Sequence, residues 1–444
     1  MIEDNTSQTR SLSPVGRLGL RALWMSVLML AGLSASPAAG GGLFDIRSFG
    51  AQADDLKSDT IAIQKAIAAA GEAEGGTVLI PAGRFVSGPI KLASNVELLL
   101  AKGTVLAMSD QPADFPVRGG RHESFISGDR LKDICISGEG EIDGQGESWW
   151  QAFRAGRRDV RRPQMIFLSN CERVTLRGIT TRNPPNTHCS LKDCREITIE
   201  GVTMLAPDES PNTDALNLSG VKNVRIFRCH ISTGDDNIVF LTSGRSADGS
   251  PKVENVVVSD CTLGFGHGLS IGSYTSGGLR NLRFENISFD KTTSGIRIKS
   301  DRDRGGVVED LAYANITMKD VKYPIYLTSY YPKVPTNDVA SPMAAGTPIF
   351  RNITISNLTA SSPSSAGSIV GLPECAISNV AFTDIQITAP RGLTLRNAHK
   401  VEFKNSSIKT QRGPSLILEA NAEAGGLPVT GNASKASSTN LSKP

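Results

Sequence analysis

The 444-residue chain has almost no net charge: 47 basic side chains against 44 acidic ones leave a formal +3. Nucleic-acid binding driven by bulk charge needs many uncompensated cations, so this balance argues against it. A polyanionic ligand would have to be held at a local basic site. The seven cysteines include no Cys-x-x-Cys pair, so the spacing that marks a zinc site is missing. Their odd number means that not all can pair within the chain. A long membrane-spanning run is missing too. The apolar stretch Ala22 to Leu33 is shorter than the ~20 residues a span requires. Arg10, Arg17 and Arg21 precede it and the small residues SASPAAGGG follow. That order reads as an export signal, so residues 1–40 are set apart from the fold, with cleavage expected near Ser36 to Gly40. The mature protein is then secreted or periplasmic, without membrane contact. An uncleaved anchor is the alternative.

What is present in quantity is repetition. From Val96 onward one phrase recurs: a polar residue, an apolar anchor, alternation, then a short polar turn. CERVTLRGIT, CREITIEGVT, KNVRIFRCHI, ENVVVSDCTL and RNLRFENISF are successive examples. The anchors are Val174, Ile197, Val224, Val256, Leu282, Leu311, Ile353, Val380 and Val401, spaced 21 to 42 residues apart. Period-two alternation makes these segments strands. Length alone would suggest two or three domains, but an imperfect repeat of this size points to one solenoid. Helical segments between repeats are scarce. The expected fold is therefore all-β: a single-stranded parallel β-helix over residues 41–420, with a disordered tail at 421–444. The helical spacing of Ile63, Ala66, Ile67 and Ala70 predicts one short helix, with Ser58 or Asp59 as N-cap, closing the open end.

Turn residues keep the same phase. Asn286, Asn315, Asn357, Asn405, Asp260 and Asp384 all stand four residues after an anchor. Asn and Asp tolerate the left-handed backbone of tight turns, which explains these residues better than glycosylation at sequons such as NIS and NIT. Cys229 and Cys261 share one phase, and Cys171 and Cys194 share another. Stacked buried thiols are expected, although neighbouring coils are close enough for disulfides.

The inward pairs of four successive coils can be aligned: Leu216 and Leu218, Ile238 and Phe240, Leu269 and Ile271, Ile296 and Ile298. In this register Asp214, Asp236 and His267 occupy one column, two residues before the first inward residue, and Asp235 stands beside it. Arg297 and Lys299 lie on the next coil. Each feature alone is weak, since a GDD triplet is usually a turn and a lone His is usually structural. Their shared phase gathers three carboxyls, an imidazole and two cations. Crowded acids beside bases separate their pKa values. Glycoside hydrolysis needs one carboxylic acid and one carboxylate, and the cations would hold a negative group on the substrate.

The segments SPNTD (210–214), GDD (234–236), GHG (266–268) and RIK (297–299) together resemble the signature of the polygalacturonase family of glycoside hydrolases. The likeness extends to FDIRSFGAQADD, SDTIAIQKAI, IPAGRF, RRPQMI and PIYLTSYY, roughly Phe44 to Ser406. It implies a right-handed parallel β-helix, the pectin-lyase-like solenoid. It also implies hydrolysis of α-1,4 bonds between galacturonates with inversion, no metal or other cofactor, and a pectic polysaccharide or oligogalacturonide as the partner of a monomer. In that reading Asp235 is the general acid, Asp214 and Asp236 hold and deprotonate the water, and His267 supports the acid. Arg297 and Lys299 bind the galacturonate carboxylate, and Tyr331, with Tyr330 as alternative, contacts substrate. This chain departs from the family pattern after NTD, with Ala215, Leu216 and Asn217 in place of Gly and an acid. It also lacks an aromatic residue near the second Pro of NPPNTH, although His188 matches. The Arg157, Arg158, Arg161 and Arg162 cluster either extends the anion site or is a solvated turn. Competing readings are a hydrolase of rhamnogalacturonan, an exo-acting trimmer of oligogalacturonides, a polysaccharide lyase on the same fold, and a non-catalytic glycan-binding β-helix.

Overall fold

A computed structural model describes residues 41–55 and 57–427. The export signal expected at residues 1–40 and the end of the tail, 428–444, lie outside the described residues. Two long sheets dominate, one of twelve strands and one of 22, and every neighbour pair in them is parallel. Neighbours along the twelve-stranded sheet come from successive coils, from Ile90–Lys91 to Leu416–Leu418. This is a parallel β-helix, as the repeat demanded. Its one described antiparallel pair is the small ribbon Val117–Arg118 with Arg121–His122.

The anchors set the register. Val174 pairs with Ile197, and the ladder continues through Val224, Val256, Leu282, Leu311, Ile353, Val380 and Val401 without a slip. All nine are at most 1% exposed. A one-residue slip would turn every one of them outward. Truncating such a residue to Ala typically costs about 2–5 kcal/mol.

Polar turns stack with the anchors. Asp260, Asn286, Asn315, Asn357, Asp384 and Asn405 all have positive φ. Asn286 donates to Asp260 at 2.9 Å, Asn315 to Asn286 at 2.9 Å, and Asn357 to Asn315 at 2.8 Å. A second amide ladder precedes the anchors: Asn255 donates to Asn223 at 3.0 Å and Asn281 to Asn255 at 2.8 Å. All seven cysteines are free, and all but Cys375 are buried. The Cys171 backbone N–H donates to Cys194 Sγ at 3.3 Å, so these thiols stack without bonding.

The helix α1 (Thr60–Glu72) buries Ala62, Ile63, Ala66, Ile67 and Ala70 against the first strands. Its N-cap is Asp59, but the Asp59 carboxylate accepts from Gln52 N at 2.9 Å and caps nothing. Two expectations need correction, and one strand was not foreseen. A strand, Gly42–Asp45, precedes the helix and pairs with Gly76–Ile80. A second helix, α2 (Glu147–Arg154), escapes notice because its eight residues are shorter than the stretch of about 11–18 over which helical periodicity is read. The ladder also continues past residue 420: Ala422–Gly425 pairs with Ala398–Lys404, and Ala422 and Ala424 pack against the core.

Candidate active site

The twelve-stranded sheet carries the acids at its strand entrances. Leu216 pairs with Ile238, Ile238 with Leu269, and Leu269 with Ile296. The column of Asp214, Asp236 and His267 follows from that register. The strand starts at Ile238, so Asp235 and Asp236 belong to the turn before it and escape strict alternation.

Local packing leaves this turn little freedom. A Cβ on Gly234 would lie 2.2 Å from Ser210 O, so the GDD turn crosses the SPNTD loop at backbone contact. Gly234 N donates to Thr213 Oγ1 at 3.0 Å, which ties the two acid-bearing loops. The glycines flanking His267 both have positive φ; a Cβ there would meet Asp235 O at 2.6 Å and Ser294 O at 2.0 Å. His267 N donates to Asp235 O at 2.8 Å. Buried Asn237 locks the same turn: its Oδ1 accepts from Gly268 N at 2.8 Å and its amide donates to Phe265 O at 2.7 Å.

The two adjacent acids have different partners. Asp235 Oδ1 lies 3.0 Å from His267 Nδ1 and accepts from Asp236 N at 2.9 Å. Asp236, 5% exposed, accepts from Arg297 Nη1 at 2.8 Å, Lys299 Nζ at 2.7 Å and Ser270 Oγ at 2.7 Å. Burial pushes the Asp236 carboxyl upward, but the Lys299 and Arg297 charges and their hydrogen bonds outweigh it and hold it below the usual range. Asp214 moves the opposite way. Burial, then the charges of Asp235 and Asp236, raise it well above an ordinary carboxyl, against one hydrogen bond from Asn217 Nδ2 at 2.8 Å. Two members of one column thus sit on opposite sides of the carboxylate norm. Tyr331 covers the basic pair, with Lys299 Nζ 5.2 Å and Arg297 Cζ 5.8 Å from its ring centre. Tyr330 is engaged elsewhere, donating to Asp338 at 2.6 Å. Of the two tyrosines, Tyr331 is the one at the site.

Residues that sequence reasoning missed are Ser270 and Asn237, whereas Asn217, singled out in the sequence as a departure from the family pattern, supports Asp214. Ser270 pairs with Arg297, the outward residue on the next coil, so extending the same alignment by one position finds it. His188 is buried, with Nδ1 2.8 Å from Thr181 Oγ1 and its pKa lowered to about 3 by burial. It is a neutral core residue. One oxygen each of Asp235 and Asp236 and a ring nitrogen of His267 lie within 4.8 Å of one another, a spacing a metal ion could use. The two cations already bonded to Asp236 oppose a third positive charge there.

Three carboxyls in unlike surroundings lie beside two fixed cations on a β-helix, an arrangement capable of acid–base chemistry. Comparison with known proteins narrows the class. The model for Glycosyl hydrolases family 28 matches residues 71–408, and the chain belongs to that family. A probable polygalacturonase of Vitis vinifera is 33% identical over 361 residues, 76% of this chain and 73% of that protein. An endo-polygalacturonase of Pectobacterium carotovorum subsp. carotovorum is 32% identical over 303 residues, 63% of this chain and 74% of that protein. Among solved structures, the polygalacturonase from Erwinia carotovora ssp. carotovora superposes with a TM-score of 0.68 at 26% identity, over 87% of this chain and 97% of that one. The family 28 exopolygalacturonase of Yersinia enterocolitica has a TM-score of 0.75 at 23% identity, over 89% of this chain and 80% of that one, and speaks for the fold. The chain is a polygalacturonase-like glycoside hydrolase with the right-handed β-helix of its family.

Proposed function

We propose that this protein is a secreted or periplasmic hydrolase of the α-1,4-galacturonosyl bonds of polygalacturonan or its oligosaccharides. It acts by direct displacement with inversion, with Asp235 as general acid. The observation that carries this reading is geometric: Asp214, Asp236 and His267 share one column, Asp235 Oδ1 lies 3.0 Å from His267 Nδ1, and Asp236 is held by Arg297 and Lys299. Asp235 gives its proton to the leaving glycosidic oxygen, and His267 holds it in place for that transfer. Asp236, kept ionised by Arg297 and Lys299, cannot serve as the acid at working pH. With Asp214 it holds the attacking water and takes its proton. Arg297 and Lys299 keep donors beyond those spent on Asp236. A uronate carboxylate under Tyr331 would accept from them.

Inverting enzymes usually separate their two carboxyls by ~6.5–9.5 Å. Asp235 and Asp236 approach more closely, with oxygens within 4.8 Å. The water therefore belongs to the Asp214–Asp236 pair, and the close approach of Asp235 does not imply a covalent intermediate. Known relatives include both an endo-polygalacturonase and the exopolygalacturonase of Zea mays, the latter 30% identical over 71% of this chain and 77% of that protein.

The test is incubation with polygalacturonic acid, following reducing ends, unsaturated products by ultraviolet absorbance, product length and the anomer first released. Reducing ends without unsaturation, with the inverted anomer first, are expected. Monomer alone means exo attack, and a ladder of lengths means endo attack. Unsaturated products would replace hydrolysis by elimination, and a folded protein inert on every pectic substrate would overturn the reading.

A further inference from the structure

Four arginines lie close together outside the acid cluster. Arg121, Arg158, Arg161 and Arg162 line a cavity of about 190 Å³ with Asn186 and Asn212. Many arginines elsewhere on this molecule are matched by acids: Arg173 lies 2.6 Å from Asp133, Arg195 2.6 Å from Glu172, and Arg118 2.5 Å from Glu123. None of the four cavity arginines forms a salt bridge among the described residues. Arg121 and Arg161 face each other across a strand bridge, and neither guanidinium donates a hydrogen bond to a described residue. Burial and then the Arg161 charge lower the Arg121 pKa, and burial and then Arg158 push Arg162 down to about 10. Like charges crowded without a counter-ion are relieved when an anion binds.

The cluster is also pre-organised. Buried Arg162 donates to Pro185 O at 2.7 Å, Pro211 O at 2.8 Å and Asn212 Oδ1 at 2.8 Å. Its Cζ stands 4.2 Å over the Phe153 ring, and that of Arg158 4.3 Å. Asn212 is two residues from Asp214, so the cluster touches the loop that carries a catalytic acid. The strand that follows Arg162, Ile166–Ser169, lies two coils before Leu216–Ser219, about 10 Å along the axis. Arg297 and Lys299 lie three coils beyond Leu216–Ser219 in the opposite direction. A polyuronide laid across the coils thus meets cations on both sides of the acids. A neighbouring cavity of about 370 Å³ shares Arg162 and Val160 and is lined by Trp149.

We propose that Arg121, Arg158, Arg161 and Arg162 form a second anion-binding subsite, which takes the carboxylate of another uronate residue of the same substrate chain. The inference rests on the galacturonan reading above and extends it to chain-length specificity. Arg162 also positions the Asp214 loop, whereas Arg158 and Arg161 are exposed and can be replaced without unpacking the core.

The test compares kcat/KM on di-, tri-, tetra- and pentagalacturonate for the wild type and the double variant Arg158→Ala/Arg161→Ala, with thermal unfolding as the fold control. In the wild type kcat/KM rises with length. In the variant the ratio of tetramer or pentamer to dimer falls about 10-fold, through KM, as expected for lost charge-assisted hydrogen bonds. Arg158→Lys/Arg161→Lys recovers part of the ratio. A variant with the wild-type ratio overturns the subsite and leaves the proposed activity standing. A wild type that cleaves no galacturonide overturns the activity instead. Calorimetry with tetragalacturonate and with inorganic phosphate then decides the subsite. Tetragalacturonate binding weakened about 10-fold in the Ala variant supports it. Equal tetragalacturonate binding in both proteins, or binding of phosphate alone, overturns it.

Discussion

Two columns of polar side chains run along this solenoid and behave in opposite ways. The turn column, from Asp260 through Asn286, Asn315 and Asn357, is exposed and links neighbouring coils by amide hydrogen bonds. The entrance column of Asp214, Asp236 and His267 sits on another face at the same coil spacing. An amide is donor and acceptor at once, so a stack of amides satisfies itself. An ionised carboxylate only accepts, so stacked carboxylates repel unless cations arrive from elsewhere. Asp236 receives Arg297 and Lys299, and Asp214 receives neither within bonding distance. The same stacking gives structure in one column and perturbed, reactive groups in the other.

The largest break in this comparison should come from Asp235→Asn. The amide keeps the size and the acceptor for the Asp236 N–H but has no transferable proton. Turnover should fall at least about 10³-fold, with substrate binding and the unfolding temperature nearly intact. Rates on polygalacturonic acid and calorimetry check this, and turnover within about tenfold of wild type would refute the acid assignment. Asp236→Asn should differ from its neighbour. It removes half of two buried ion pairs and leaves Lys299, 5% exposed, without its carboxylate. Alongside lost turnover, stability should drop by about 3 kcal/mol in denaturant titrations. Unchanged stability would mean that the cations are held by something other than Asp236.

Asp214 gives a smaller effect on stability, with a definite sign. As a partner of the water it must be ionised to act, and burial with two neighbouring acids raises its pKa. The acidic limb of the kcat/KM profile should therefore lie above the ordinary carboxylate range, near pH 4. The linkage runs the other way for stability. A carboxyl whose folded pKa is raised stabilises the fold at low pH and loses that contribution as pH rises through it. Asp214→Asn should then raise the unfolding temperature at pH 7 by about 1–3 °C while abolishing activity, and the gain should vanish below about pH 4. A lower unfolding temperature at pH 7 would show that the charge is compensated.

Most of the β-helix was legible in the sequence, for a physical reason. Anchors such as Val174 and Val256 repeat because each coil buries the same position, so register and phase are written in apolar spacing. Asp214, Asp236, His267, Arg297 and Lys299 inherit their alignment from that register, as the pairing of Leu216 with Ile238 and Leu269 with Ile296 shows. Features that follow no repeat were not legible. The helix at Glu147–Arg154 and the strand at Gly42–Asp45 occur once each. The direction of a side chain within a turn is also unwritten, which is why Tyr330 and Tyr331 could not be separated before their contacts were seen. The unequal shifts of Asp214 and Asp236 depend on which coil supplies a cation, a property of three-dimensional neighbours.

The smallest effect tests the amide column itself. Asn315 donates to Asn286 and accepts from Asn357, with φ near +57°. Alanine at this position loses both amide bonds and bears the strain of a left-handed backbone, although water replaces part of the hydrogen bonding at an exposed site. The net cost should be about 1–2 kcal/mol of unfolding free energy, with kcat/KM unchanged because the turn face is remote from the acids. Glycine should recover the strain but not the bonds and fall between the two. If Asn315→Ala instead proved neutral, the ladder would be only a consequence of stacking. Stacked polar groups would then earn their place in this fold only at the acidic column, where they do chemistry.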